Sequence, residues 1–229
     1  MNYIHITQEN IDKEHICCAM SDKQSVAKKE WLKQRMDEGL VFYRSVERGK
    51  CFIEYIPAEN AWVPIEADGY LYINCLWVSG SMKGHGYATD LLDECIRDAE
   101  AQGKNGICIL CAEGRKREFL ADPKFLTYKG FQVADISDCE INLMYLPLAE
   151  NAELPRFKAC AKHPKAEGNG FVPTTPTSAH IPAIGFREWR KWQRNTISHS
   201  RPFTSPQKRL HRMLPPLLPP MHCFGMASL

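Results

Sequence analysis

The residues of this chain best suited to bind a ligand lie in the glycine-containing segment Ser81-Met82-Lys83-Gly84-His85-Gly86, followed by Tyr87 and Ala88. Glycine allows backbone conformations closed to other residues and brings no side chain to a turn. A helix that begins at such a turn presents unpaired N–H groups and the positive end of its dipole, which together bind phosphate. A phosphate-bearing ligand is therefore the first functional hypothesis. A purely structural tight turn is the alternative.

The residues on either side predict a strand, a turn and a helix in one unit. Tyr70–Val78 is predicted to be the strand that enters the turn. After Gly84, apolar residues recur at helical spacing and charged residues occupy the opposite face. The apolar positions are Ala88, Leu91, Leu92, Cys95, Ile96 and Ala99, and the charged ones are Asp90, Asp93, Glu94, Arg97, Asp98 and Glu100. The turn is thus expected between a buried strand and an amphipathic helix.

The predicted order of strand, helix, strands, glycine turn, helix, strand, helix, strand resembles that of the GNAT N-acetyltransferase family. The pyrophosphate loop of this family reads Gln/Arg-x-x-Gly-x-Gly/Ala, which residues 81–86 match at both glycines, with Ser81 in place of Gln or Arg. A second family mark, a Gly-Phe pair after the next helix, is present as Gly130-Phe131. The resemblance covers residues 1–149 and is closest to the group that carries a small YoaP-like C-terminal domain.

The resemblance implies an α/β fold with helices on both sides of a mixed central sheet, and acetyl-CoA as co-substrate without a metal. In this family a substrate amine attacks the thioester directly. The pantetheine and acetyl contacts would fall on the backbone of Leu76, Trp77 and Val78, with the N–H of Trp77 or Val78 as the oxyanion donor. The cofactor's pyrophosphate would contact Ser81, Met82, Lys83, Gly84, His85, Gly86, Tyr87 and Ala88.

Strand alternation separates the side chains of residues 70–77 into two sets. Tyr70, Tyr72, Asn74 and Leu76 are predicted on one face, and Leu71, Ile73, Cys75 and Trp77 on the other. The first face is the candidate wall for the acceptor, where Tyr72 or Asn74 would orient a water that takes the amine proton. A polar strand face covered by a loop is the alternative reading.

The general acid is less well marked. Many members of the family place a tyrosine four residues before the Gly of the Gly-Phe pair, where this chain has Leu126. Tyr128 is the nearest candidate, although two positions along a helix turn a side chain by about 200°. The departures at Leu126 and Ser81 leave a second hypothesis open, a CoA-binding sensor or regulator without catalysis.

Basic residues near the loop offer partners for phosphate charge. Lys83 adjoins the predicted pyrophosphate turn, and His85 could contribute when protonated; a solvated side chain is the alternative for each. Arg115, Lys116 and Arg117 could meet the 3′-phosphate of CoA or an acidic substrate, or form a solvated basic loop.

The remaining elements are predicted from helix caps, turn residues and the spacing of apolar residues. We expect a strand at residues 3–6, a short helix at 10–20, and a helix capped by Ser21 that runs to about residue 38. Residues 41–46 and 51–56 are predicted to form a hairpin. Further strands are expected at 106–112, 131–136 and 140–146, with a short helix after Pro123.

The composition of the chain bears on its cellular location, its partners and the state of its cysteines. The chain has no apolar run that could span a bilayer and no layout typical of a secretion signal, so we expect a cytoplasmic protein with a small-molecule or peptide amine as its partner, and we leave a homodimer open. Its ten cysteines are dispersed through apolar segments, as buried thiols are. Cys108 and Cys111 have the Cys-x-x-Cys spacing of a zinc knuckle. In a strand, however, residues three apart point to opposite faces, which argues against a zinc site.

The character of the chain changes near residue 150. We assign residues 1–149 to the acetyltransferase domain, 150–170 to a linker and 171–229 to a tail too poor in apolar pattern to build a core. A basic arm that binds nucleic acid is a less favoured reading. With free codon choice, residues 174–182 read one nucleotide earlier can encode the Cys-Pro-aromatic-Thr turn of YoaP-like domains, which suggests a frameshift near residues 168–172.

Overall fold

The computed structural model of the protein describes residues 1–16, 22–112, 120–138 and 140–162. The helices and strands, in chain order, are β1 (Tyr3–Ile6), α1 (Asp22–Met36), β2 (Val41–Ser45), β3 (Cys51–Pro57), β4 (Ile65–Glu66), β5 (Tyr70–Val78), α2 (Tyr87–Ala101), β6 (Gly106–Ala112), α3 (Pro123–Tyr128), β7 (Gln132–Ile136), β8 (Ile141–Pro147), β9 (Arg156–Phe157) and α4 (Ala159–Lys162). Single turns of 3₁₀ helix lie at Ala58–Asn60 and Gly80–Met82.

Seven strands form one mixed sheet in the order β1-β2-β3-β5-β6-β8-β7. All neighbours pair antiparallel except β5 and β6, which are parallel. Apolar side chains of α2 and α3 pack on one face of the sheet, and those of α1 pack on the other. The predicted α/β fold, a mixed sheet between helices, is confirmed. The predicted ranges of β1, β5 and β6 are matched at both ends.

Residues 10–16 do not form the helix that the sequence predicts. They make isolated turns instead, such as those closed by the N–H groups of Ile11 on Thr7 O and of Glu14 on Asn10 O. The Asn10 side chain bonds to residues before it rather than capping a helix after it. Its Oδ1 accepts from Thr7 N at 2.9 Å and its Nδ2 donates to His5 O at 2.8 Å, which closes a turn where a helix would begin. Residues 17–20 and the predicted cap Ser21 lie outside the described residues.

A bulge in β5 reverses the predicted alternation of side chains. The register with β3 passes from Cys75 opposite Glu54 to Ile73 opposite Tyr55, which leaves Asn74 as the extra residue of β5. Beyond the bulge each side chain points to the opposite face from the one predicted. Leu76 therefore packs on the α2 side with Leu71 and Ile73, and Cys75 and Trp77 pack on the α1 side. The predicted placement of Leu76 beside Tyr72 is wrong for this reason.

The predicted linker begins too early. Residues 151–162 pack on the domain through β9, which pairs with β4, and through α4. Phe157 and Ala161 are buried in an apolar cluster with Tyr70 and Tyr72. Tyr70 Oη also donates to Glu153 O at 3.0 Å. The domain thus extends to Lys162, while the rest of the predicted linker and the whole tail lie outside the described residues.

Candidate active site

The glycine turn has a backbone that only glycine adopts readily. Gly84 and Gly86 have φ values of +82° and +81°, in the left-handed region. Gly86 is the N-cap of α2, and no side chain caps the helix there. A Cβ atom added at either glycine would meet no other atom within 4 Å. The space in front of both glycines is therefore open to a ligand.

The N–H groups at this turn are available for hydrogen bonding. Within the part of the chain that the structure describes, no backbone or side-chain group accepts a hydrogen bond from the N–H groups of residues 84–88. The first N–H of the helix to be bonded internally is that of Thr89, which donates to Gly86 O at 2.8 Å. Several donors at the positive end of a helix dipole can together hold an anion.

A cavity of about 260 Å³ lies against the turn. It is lined by Val78, Met82, Lys83, Gly84, Gly86, Tyr87, Ala88, Thr89 and Phe125. Lys83 brings positive charge to its polar end, whereas Val78 and Phe125 make it apolar elsewhere. His85 and Ser81 are exposed, and the His85 ring stacks on Tyr87 with 5.4 Å between ring centres. The cavity thus suits a phosphate joined to a less polar chain.

The strand that leads to this cavity separates from its parallel neighbour. Pairing of β5 with β6 ends at Ile73 opposite Ile109, although β5 continues to Val78 and β6 continues along β8 to Ala112. A wedge-shaped opening therefore begins at Asn74 and widens toward the glycine turn.

Peptide groups of β5 point into the wedge at alternate residues. Ser79 N donates to Lys50 O at 2.9 Å, on the β3 side of the strand. Since successive peptide groups of a strand point in opposite directions, the N–H of Trp77 is also directed at β3. The N–H groups of Leu76 and Val78 are directed away from β3, into the wedge. Of the two predicted oxyanion donors, Val78 has the suitable direction.

The two candidate residues for the proton path have different surroundings. Tyr72 is buried among apolar side chains, and this burial raises the pKa of its phenol well above the usual range, so that it stays neutral. Asn74 is only partly buried and lies at the bulge, and its Nδ2 donates to Glu54 Oε1 at 3.1 Å. Asn74 thus lies at the narrow end of the wedge, whereas Tyr72 lies in the core.

Tyr128 is exposed and is not among the residues that line the cavity. Its side chain is 84% exposed, and the Lys129 ammonium lies 5.9 Å from the ring centre. In the same helix, Leu126 is fully buried and Phe125 lines the cavity. The basic residues 115–117 lie outside the described residues.

Two buried charged residues that the sequence patterns did not predict lie beside the wedge. Glu54 lies on β3 and Lys28 on α1, and their side chains form an ion pair with 2.7 Å between Nζ and Oε2. A signal was present in the sequence, because Glu54 interrupts the otherwise apolar run Cys51-Phe52-Ile53-Glu54-Tyr55-Ile56. A carboxylate is seldom buried in a strand without a partner.

Comparison with known proteins places the chain in a family. Residues 9–117 match the model of the acetyltransferase (GNAT) family. The chain is also 49% identical, over 176 residues, to a Bacillus subtilis (strain 168) protein named uncharacterized N-acetyltransferase YoaP, in an alignment that covers 75% of this chain and 70% of that protein. The chain therefore belongs to the GNAT family and is an N-acetyltransferase, as its sequence predicts.

Solved structures of this family include two with the cofactor bound. One is a GNAT family acetyltransferase from Brucella melitensis in complex with acetyl-CoA, with a TM-score of 0.43 and 12% identity over 69% of this chain and 96% of that one. The other is the PaiA N-acetyltransferase of Thermoplasma acidophilum in complex with coenzyme A, with a TM-score of 0.44 and 13% identity over 64% and 99%.

Among the described residues, no helix is both long and apolar enough to cross a membrane. No three His, Cys, Asp or Glu side chains within the described ranges come close enough together to hold a metal ion. Cys108 and Cys111 lie in apolar clusters on opposite faces of the sheet, as strand geometry predicts.

Proposed function

We propose that the protein transfers the acetyl group of acetyl-CoA to a primary amine by direct attack of the amine on the thioester. The observation that carries this proposal is that the free N–H groups of residues 84–88 stand at the wide end of the wedge between β5 and β6. A pyrophosphate bound at these N–H groups leaves an extended pantetheine arm room to run along β5. The acetyl group then reaches the narrow end, near Asn74.

The backbone of β5 supplies the polar contacts for this arm. Peptide groups of Leu76 and Val78 that face the wedge can pair with the amides of pantetheine as a neighbouring strand would. The Val78 or Leu76 N–H can also donate to the oxyanion that forms at the thioester carbonyl, where a fixed donor lowers the barrier. The C–N bond forms, the C–S bond breaks, and the thiolate leaves as the thiol.

Water carries most of the protons that leave the amine and reach the thiolate. Acetylation of an ammonium releases one proton overall, and Asn74 can orient the water that carries it away because its amide lies at the narrow end of the wedge. Tyr72 is less suited, since it is buried and stays neutral. We expect the protein to act in the cytoplasm on a small-molecule or peptide amine.

Replacing Tyr128 with phenylalanine is expected to lower kcat less than about threefold, because a side chain so exposed cannot reach the leaving thiolate. Steady-state kinetics with acetyl-CoA measure this. Phe125→Ala, in the same helix, should instead weaken acetyl-CoA binding, because Phe125 lines the cavity. A drop in kcat of about 100-fold in Tyr128→Phe, as typical for a lost general acid, would restore Tyr128 as the catalytic acid.

A panel of amines tests the proposed function. Purified protein is incubated with acetyl-CoA and, in turn, polyamines, amino acids, aminoglycosides and peptides with a free N-terminus, while thiol release and the N-acetyl product are measured. We expect equal amounts of free CoA and acetylated amine for at least one class. Binding of acetyl-CoA without thiol release on any amine would favour the rival function, a CoA-dependent sensor.

A further inference from the structure

A buried ion pair lies beside the narrow end of the wedge, between α1 and β3. Lys28 and Glu54 are 4% and 2% exposed, and Lys28 Nζ lies 2.7 Å from Glu54 Oε2. The Lys28 ammonium also lies 4.0 Å from the centre of the Trp31 ring. The second carboxylate oxygen of Glu54 accepts the hydrogen bond from Asn74 Nδ2. The pair thus links α1 to the bulge of β5.

The stability of the domain does not account for this pair. Removing two charges from water costs several kcal/mol for each ion, and well-packed apolar residues of similar size often stabilise a core as well or better. Leu32, Phe42 and Phe52 lie in the apolar cluster on this face, and the buried Arg35 guanidinium is also close enough to Glu54 for the two charges to interact. The two charges are therefore expected to serve Asn74, the residue that Glu54 contacts.

Glu54 determines which way the Asn74 amide points. An ionised carboxylate can only accept hydrogen bonds, so the NH₂ group of the amide must face Glu54. The carbonyl oxygen Oδ1 is then turned away from Glu54. Asn74 is also the first β5 residue beyond the parallel pairing and the extra residue of the bulge, so this oxygen lies where the wedge begins.

We infer that Glu54, itself fixed by Lys28, is a positioning residue that holds Asn74 so that Oδ1 accepts a hydrogen bond from the attacking amine. This inference rests on the proposed function and names the part of the site that receives the acceptor. A neutral amine held through one N–H keeps its lone pair free and directed at the thioester carbon. In the tetrahedral intermediate, the protonated nitrogen donates a hydrogen bond to the same oxygen. Water then removes the surplus proton from this nitrogen.

A double-mutant cycle tests the inference. The variants are Asn74→Ala, the apolar pair Lys28→Met with Glu54→Leu, and all three substitutions together. We expect Asn74→Ala and the apolar pair each to lower kcat by about 30-fold, with KM for acetyl-CoA nearly unchanged, because orientation is lost while the cofactor loop is intact. When Asn74→Ala is added to the apolar pair, kcat should fall by less than about threefold further. The amine is the panel member that the wild type acetylates fastest.

Glu54→Gln provides the conservative control, because the Gln carbonyl can still accept from Asn74 Nδ2 at nearly the same volume. It should retain clearly more kcat than the apolar pair, and the melting temperature of the apolar pair should stay near that of the wild type. Three results would overturn the inference. The kcat losses of Asn74→Ala and of the apolar pair could multiply fully in the combined variant, the apolar pair could keep the wild-type kcat, or Glu54→Gln could be as slow as the apolar pair. A wild type that acetylates no panel amine would instead refute the proposed function, and the inference with it.

Discussion

Replacing Gly86 with valine is expected to weaken CoA binding by about 100-fold or more, because each hydrogen bond to a charged group contributes roughly 1.5–3 kcal/mol and the new side chain would displace more than one. The added atoms would occupy the open space in front of the N–H groups of residues 84–88, where we propose that the pyrophosphate binds. Calorimetric titration of the folded variant with CoA measures the change. Gly84→Ala should have a milder effect, since its side chain is only a methyl group.

Gly103→Val is the matched control. Gly103 also has a positive φ, +63°, and open space at its Cβ position, but it follows the far end of α2. Both valines should cost roughly 1–2 kcal/mol of stability from left-handed strain, so the two variants should melt at similar temperatures. Only Gly86→Val should lose CoA affinity. Unchanged affinity in a folded Gly86→Val protein would remove the phosphate-loop assignment.

Ending the chain after Glu150 is expected to lower the melting temperature by about 10 °C, since loss of a buried Phe costs roughly 3–5 kcal/mol and each kcal/mol shifts a domain of this size by roughly 2–4 °C. The truncation removes Phe157 and Ala161 and exposes the apolar cluster around Tyr70 and Tyr72. It also removes two partners of Asp135, whose carboxylate accepts from Phe157 N at 2.9 Å and pairs with Lys162. Thermal unfolding followed by circular dichroism measures the effect.

A chain that ends after Lys162 is the control for this truncation. It keeps β9 and α4, so we expect a melting temperature close to that of the full chain. Equal stability of the two shortened chains would show that residues 151–162 contribute nothing to the domain. It would also restore the earlier boundary that composition suggests. A large loss in the longer of the two chains would show that the residues beyond Lys162 are needed for folding.

Much of the fold could be predicted because its signals are local. Strand β5 is an apolar run, helix α2 has a clear helical period, and the glycines between them mark the turn, so that this strand, turn and helix could be predicted from residues 70–101 alone. The hairpin of β2 and β3 was equally visible in two apolar runs separated by a polar turn. These elements depend little on distant contacts.

The parts that could not be predicted depend on residues far apart in sequence. The bulge at Asn74 is a property of how β5 pairs with β3, and nothing in residues 70–78 marks it. The ion pair joins Lys28 on α1 to Glu54 on β3, and the two meet only where α1 packs on the sheet. Likewise, β9 is two residues long and gains its stability from β4 and the cluster beneath it.

A crystal structure of the wild-type protein with CoA would show where the cofactor binds. We expect the pyrophosphate oxygens to accept hydrogen bonds from the N–H groups of residues 84–88, with pantetheine between β5 and β6 and the thiol beside Asn74. Bound CoA with its pyrophosphate away from Gly84 and Gly86, or with its thiol outside the wedge, would contradict the account.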